Sequence, residues 1–175
     1  MVKVIICNGR PGVGKTTFQE MCQIYAREEW ENKIRVDITS TVDFVKDIAK
    51  QCGWDGTKDL KNRKFLSDLK DLLTEWNDVP FKKIEQKVKW LEMTNENYIL
   101  MVDCREPSEI QKFKDRLNAL TVLVRREQVE SEETSNHADA EVMNYNYDLT
   151  IWNNSDKIDL ANKVVDFMEQ LKGEF

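Results

Sequence analysis

The sequence predicts a single α/β domain, a three-layer sandwich in which helices cover both faces of a parallel sheet of roughly five strands. Three observations predict it. Five short apolar or β-branched runs, at 2–7, 33–38, 98–103, 119–124 and 147–152, are separated by segments with helical periodicity. The run Y-I-L-M-V-D, ending at Asp103, is apolar on both faces, as a central parallel strand must be. No internal repeat and no Pro/Gly/Ser-rich linker divides residues 1–175, so one core with right-handed crossovers is expected.

The elements follow in order. V-K-V-I-I-C stops at Asn8-Gly9 and reads as a buried strand. Phe18, Met21, Cys22 and Tyr25 give the first helix its apolar stripe. Ile34, Val36 and Ile38 alternate with polar residues in a second strand, which places Asp37 at its end. Val42, Val45, Ile48 and Ala49 form a short helix closing near Gly53. Phe65, Leu66, Leu69, Leu72, Leu73 and Trp76 form a longer one, and Ile84, Val88 and Leu91 another beyond Pro80. After the Asp103 strand, Pro107 starts a helix carrying Ile110, Phe113 and Leu117. A-L-T-V-L-V leads to Arg125-Arg126, a polar stretch follows, and Y-D-L-T-I-W ends at Asn153. Leu160, Val164, Phe167, Met168 and Leu171 mark the last helix. In an open α/β sheet ligands sit beyond the carboxyl ends of the strands. Asn8, Asp37, Asp103, Arg125 and Asn153 gather there.

Composition sets limits. A charged share of 33% with 41% apolar residues suits a compact domain with a heavily charged surface. The net charge of -6 argues against a nucleic-acid polymer as partner, which would call for a basic face. No apolar run reaches the roughly 20 residues needed to span a bilayer, and the first residues are too short for a signal peptide. Cys7, Cys22, Cys52 and Cys104 show no metal-ligand or redox spacing, so buried reduced thiols in a cytoplasmic protein are expected.

The sharpest signal is G-R-P-G-V-G-K-T, which matches G-x-x-x-x-G-K-[ST] through Gly9, Gly14, Lys15 and Thr16. Glycines let successive backbone N–H groups turn inward as an anion nest, and the following helix aims its positive end at the same place. The expected binding set for ATP is Gly9, Arg10, Gly12, Val13, Gly14, Lys15, Thr16 and Thr17, with Arg125 at a neighbouring strand end. Lys15 is expected to reach the β- and γ-phosphates and Thr16 to ligate Mg²⁺. Asp103, ending the most apolar strand, is the second candidate metal ligand, with a plain turn residue as the alternative. The fold class is thereby narrowed to the P-loop NTPase sandwich.

The loop, the D-x-R triplet Asp103-Cys104-Arg105 and the tail pattern resemble the deoxynucleoside monophosphate kinase and phosphomevalonate kinase group of P-loop kinases. In that group an apolar strand ends in D-x-R, here Y-I-L-M-V-D-C-R-E, and the next strand leads to arginines opening a lid, here A-L-T-V-L-V-R-R. N-H-A-D-A-E, 136–141, and D-L-T-I-W-N are similar to the segments beyond that lid. V-D-I-T-S-T-V-D-F followed by G-W-D-G-T-K-D-L-K-N-R-K-F resembles the acceptor side. The resemblance implies a helical acceptor-binding region at about 40–95 and a short lid at about 126–146. The lid sequence Q-V-E-S-E-E-T-S is acidic, which leaves Arg125 and Arg126 as its basic candidates.

Phosphoryl transfer needs two substrates held in line and fixed cations between them. Lys15 and Arg105 are the first candidates, and Arg126 is preferred to Arg125 because it opens the lid and successive strand residues face opposite ways. Lys58, Lys61 and Arg63 are candidates for the acceptor's own phosphate, with a solvated charged face as the alternative. Asp37 is a candidate to orient or deprotonate the acceptor, and Ser40 lies beside it where the acceptor side begins. His137, the single histidine, reads as an exposed loop residue, and Asp139 and Glu141 belong to the D-A-E element. Trp30, Trp76, Trp90 and Trp152 read as core or edge packing, with Trp54 alone near the acceptor region. The expected activity is transfer of the γ-phosphate of ATP-Mg²⁺ to a small phosphorylated acceptor, first a (deoxy)nucleoside monophosphate, by a monomer or homodimer. The alternatives are a phosphomevalonate-type or other small-metabolite kinase, or a nucleotide-binding switch.

Overall fold

A computed structural model describes residues 1–57, 59–130 and 142–175. Five parallel strands, β1 (Val2–Asn8), β2 (Ile34–Ser40), β3 (Asn97–Asp103), β4 (Leu120–Arg125) and β5 (Leu149–Trp152), form one sheet in the order β2-β3-β1-β4-β5. The helices are α1 (Lys15–Glu28), α2 (Asp43–Gln51), α3 (Leu60–Asn77), α4 (Val79–Glu92), α5 (Pro107–Leu117), a short α6 (Glu127–Glu130) and α7 (Lys157–Lys172).

The central strand β1 shows why the chain folds into three layers. Its side chains alternate: Ile5 and Cys7 join the cluster under α1 and α7 with Phe18, Cys22, Phe167 and Met168. Val4 and Ile6 face the opposite cluster with Phe81, Ile84, Ile110 and Phe113 of α4 and α5. The predicted sandwich and its parallel sheet are therefore what the chain adopts. Local signals start the helices where the sequence places them. Asp59 accepts a hydrogen bond from Asn62 N at the start of α3, and Asp156 accepts from Ile158 N and Asp159 N at the start of α7. Pro107 opens α5.

Three expectations need correction. β2 does not end at Asp37: it runs on to Ser40, paired with β3 so that Asp37 sits opposite Leu100 and Ser40 opposite Asp103. Strand pairing is a backbone matter, and the polar Thr39 and Ser40 do not stop it. The stripe on α3 is covered only in part, with Leu66, Leu69 and Leu73 half-buried. Lys70 is the buried residue of that helix, while Phe65, Leu72 and Trp76 are exposed. Trp90 is exposed as well, whereas Trp30 is buried as expected. Of the cysteines, Cys7, Cys22 and Cys104 are buried free thiols, but Cys52 is exposed. Burial pushes the Cys7 thiol up to about 12, a shift the neighbouring Asp103 carboxylate adds to.

The sheet registers the carboxyl ends of its strands. Cys7 lies opposite Asp103, Asn8 opposite Leu123 and Arg125 opposite Trp152, so the loops after β1, β3, β4 and β5 meet along one edge. Three ion pairs link α3 and the residue that follows it to α5. Lys70 meets Glu106 and Glu109 where α5 begins, and Asp78, just after α3, meets Lys112 further along. α3 itself packs against α2 and α4, and Lys61 and Arg63 lie in its exposed first turn. Among the described residues no helix is long and apolar enough to cross a membrane.

Candidate active site

The glycine-rich loop joins β1 to α1, and its backbone is held so closely that side chains are excluded. Gly9 has φ 156°, and a Cβ there would lie 2.6 Å from the Val124 carbonyl oxygen and 2.9 Å from Val13. Gly14, the N-cap of α1, has φ 91° in the left-handed region, and a Cβ would lie 2.4 Å from Asn153 Nδ2. Gly12 also has a positive φ, 86°, with Val129 of α6 as the nearest side chain. Val13 is buried, and the side chain of Thr16 belongs to an exposed residue on the first turn of α1. Arg10 and Thr17 are half-buried on either side of the loop.

Two buried amides fix this loop. Asn153, just after β5, donates from Nδ2 to the Val13 carbonyl at 2.8 Å, and its own N–H donates to the Arg125 carbonyl at 2.7 Å. Asn8, fully buried, accepts from Gly9 N at 2.8 Å and donates from Nδ2 to the Arg105 carbonyl at 3.2 Å and to Tyr147 Oη at 2.7 Å. Tyr147 Oη donates in turn to the Val142 carbonyl at 2.9 Å. Two buried side-chain amides therefore tie the loop to the ends of β3 and β5, and the Asn153 backbone N–H adds the end of β4.

The charged centre lies at the mouth of the loop. Lys15 Nζ is 2.7 Å from Asp103 Oδ2, with both side chains partly covered. Gln19, one turn beyond Lys15 and itself buried, donates from Nε2 to Asp103 Oδ1 at 2.8 Å. The carboxylate is thus held from two sides, with one oxygen on an amide and the other on an ammonium. On β2, Ser40 donates from Oγ to the Asp103 carbonyl at 3.4 Å, and Thr41 N donates to the same oxygen at 3.2 Å.

The remaining candidates divide. Arg105 follows two residues after Asp103 and is exposed, with its carbonyl held by Asn8. Arg125 ends β4 and lays its guanidinium over the Trp152 ring, 4.2 Å from the centroid. Arg126 follows directly and its carbonyl accepts from Val129 N in α6. Asp37 is not part of this centre: it lies three residues before the end of β2 and pairs with Lys87 of α4 at 2.9 Å. Lys61 and Arg63 are exposed on the first turn of α3. Trp54 hydrogen-bonds through Nε1 to the Thr57 carbonyl at 2.9 Å, which closes the loop before α3 on itself. Lys58, His137, Asp139 and Glu141 lie outside the described residues, as does the middle of the expected lid; its described ends are α6 and a 3₁₀ turn at Val142–Asn144.

Sequence reasoning did not assign Asn8, Gln19 or Asn153 a role in the site. A signal was present for Gln19, which sits four residues after Lys15 among the apolar positions Phe18 and Cys22. The residues present fit a nucleoside triphosphate with a divalent metal. The loop excludes any Cβ at Gly9 and Gly14, it opens a 14-residue helix, and a cation, a hydroxyl and a carboxylate surround its mouth.

A prediction arises here. Gly14→Ala should weaken ATP binding at least about tenfold, because the new Cβ displaces Asn153 from the Val13 carbonyl. Gly53→Ala is the control, with φ 95° but nothing within 4 Å of its Cβ. It carries the same backbone strain and should leave ATP affinity within about twofold. Calorimetric titration of both variants with ATP-Mg²⁺ checks this.

No protein-family model matches the sequence, and no curated protein matches it. Among solved structures, thymidylate kinase from Ehrlichia chaffeensis aligns with a TM-score of 0.50 at 16% identity, covering 97% of this chain and 98% of that one. Shikimate kinase from Bacteroides thetaiotaomicron aligns with a TM-score of 0.45 at 14% identity, also over 97% of this chain and 98% of that one. The likeness to thymidylate kinase shows the fold alone: a three-layer α/β sandwich built on one parallel sheet.

Proposed function

We propose that this chain is an ATP-dependent phosphotransferase that moves the γ-phosphoryl group to a small acceptor already carrying a phosphate, with a (deoxy)nucleoside monophosphate as the acceptor. The observation that carries the reading is the convergence of Lys15 and Asp103, 2.7 Å apart, at the mouth of a loop with no room for a Cβ at Gly9 or Gly14. ATP-Mg²⁺ bound there would supply the phosphoryl group, and the metal would supply charge neutralisation of the phosphates.

The chain's own residues do the rest. Backbone N–H groups from Gly9 to Thr17, with Arg10 inside the loop, cradle the phosphates, while Asn153 and Asn8 keep the loop in shape. Thr16 and Asp103 would hold the metal, and Gln19 fixes the Asp103 carboxylate through Oδ1. Lys15 exchanges its contact with Asp103 for the phosphate oxygens, a swap that costs little because both partners are partly solvated. Arg105 and Arg126 place further cations at the strand ends, and Arg125 stays with Trp152 beside the loop. Lys61 and Arg63, exposed on the first turn of α3, hold the acceptor's own phosphate. Ser40, opposite Asp103 at the end of β2, lines the acceptor side. A phosphate acceptor is already a nucleophile and needs no base, which agrees with Asp37 being tied to Lys87. The reaction is placed in the cytoplasm and acts on a free metabolite.

The test is ADP release from ATP-Mg²⁺ with each common nucleoside and deoxynucleoside monophosphate added in turn, and phosphomevalonate alongside. One or a few monophosphates should raise the rate by about a hundredfold or more over ATP alone. A response to phosphomevalonate alone keeps the kinase and removes the nucleotide acceptor. A slow rate that no acceptor raises points to a nucleotide-binding switch.

A further inference from the structure

α3 carries an apolar stripe, yet the residue it buries is a lysine. Lys70 is 8% exposed, and its ammonium lies 2.7 Å from Glu106 Oε1 and 2.7 Å from Glu109 Oε2. Glu109 is itself buried, in the first turn of α5, where the helix dipole favours a carboxylate. Its Oε2 also accepts from the Cys104 thiol at 3.3 Å. Although burial opposes the charged ammonium, Glu109 and Glu106 hold the Lys70 pKa above the usual lysine value. Lys70 stays charged.

Packing alone does not call for such a group. A buried ion pair contributes little net stability compared with apolar residues of similar size, because both charges must leave water. What the ion pair gives is a fixed direction and distance. The contacts fall on the two neighbours of Arg105: Cys104 through Glu109, and Glu106 directly. Asn8 fixes the carbonyl of Arg105 itself at 3.2 Å. The short connection that carries Asp103 and Arg105 out of β3 is therefore tied on one side to the glycine-rich loop and on the other to α3.

We propose that Lys70 is a positioning residue: through Glu109 and Glu106 it locks the acceptor-side helix α3 to the Asp103–Arg105 connection, so that the acceptor and the Arg105 cation are set at a fixed separation. The inference rests on the kinase reading for its catalytic consequence, but the mechanical link does not.

The experiment compares the full-length wild type with Lys70→Met and with the double variant Lys70→Met/Glu109→Gln. Lys70→Met leaves Glu109 as a buried unpaired charge and can fail to fold; the double variant removes both charges at similar volume and restores a neutral core. Two readouts are taken: amide hydrogen exchange without ligand, and steady-state ADP release with the acceptor that the wild type uses. In the double variant exchange at residues 104–106 should rise at least about tenfold, with β1 and α1 unchanged. Acceptor-dependent kcat should fall about 10- to 100-fold while KM for ATP stays within about twofold. A merely structural role would return the double variant to wild-type kcat. Wild-type exchange at 104–106 in the double variant overturns the proposal whatever the turnover, and so does raised exchange with unchanged kcat. If the wild type turns over no acceptor, the kinase reading fails, and the exchange result still decides whether Lys70 holds the connection.

Discussion

Lys15→Ala is expected to lower acceptor-dependent ADP release by about a thousandfold or more, with little change in the folding midpoint. The lysine supplies the one ammonium on the first turn of α1, at the mouth of the loop and 2.7 Å from Asp103. In the transition state negative charge spreads over the equatorial oxygens of the moving phosphoryl group, and a fixed cation there is worth far more than on an open surface. Removing one preorganised donor of this kind costs about 10²–10³ in rate, and a full charge lies at or beyond the upper end of that range. Stability responds differently, because the Lys15–Asp103 pair is partly exposed and such pairs contribute at most about 1 kcal/mol. Steady-state kinetics beside a thermal melt separates the two effects. A variant that keeps more than a tenth of wild-type kcat would remove Lys15 from the chemistry.

Asp103→Asn carries the second large effect. The change preserves shape and lets the amide oxygen keep accepting from Gln19, so the fold and the loop survive. It turns the other oxygen into an N–H₂ facing the Lys15 ammonium, where the wild type has an attractive contact of 2.7 Å. It also removes the charge with which the site holds a metal, since hard cations choose carboxylate oxygens over amide nitrogen. Turnover should fall about 10²- to 10³-fold, and the Mg²⁺ concentration giving half-maximal rate should rise about tenfold or more. A Mg²⁺ titration at saturating ATP checks both. Loss of rate with an unchanged Mg²⁺ midpoint would make Asp103 a partner of Lys15 and not a metal ligand.

The parts legible in the sequence were those whose cause is local. A seven-residue strand of mostly β-branched and apolar chain, a run of glycines at fixed offsets and a lysine at the start of a helix lie within twenty positions, and the structure assembles them in order. Asp103 was legible because a strand apolar on both faces leaves one place for a carboxylate, its end. The pieces that escaped are set by partners far along the chain. Asn153 meets Val13 across 140 positions and Asn8 meets Tyr147 across 139, and an asparagine at a strand end looks the same whether it caps a turn or clamps a loop. Asp37 was misplaced because the apolar alternation that marks β2 stops at Ile38, whereas hydrogen bonding to β3 carries the strand to Ser40. The stripe of α3 shows the limit of periodicity: it tells which residues share a face but not whether anything covers that face, and here Lys70 is buried while Trp76 is exposed.

Phosphorus NMR of the wild-type protein with ATP-Mg²⁺ and one acceptor at a time tests the central claim most directly, because it sees where the γ-phosphoryl group goes. Transfer to a nucleoside or deoxynucleoside monophosphate should convert its signal to that of a diphosphate while ADP appears in equal amount, with none of this in Lys15→Ala. ADP accompanied by free inorganic phosphate, at a rate that no acceptor changes, would contradict the phosphotransferase reading and leave a protein that only hydrolyses nucleotide.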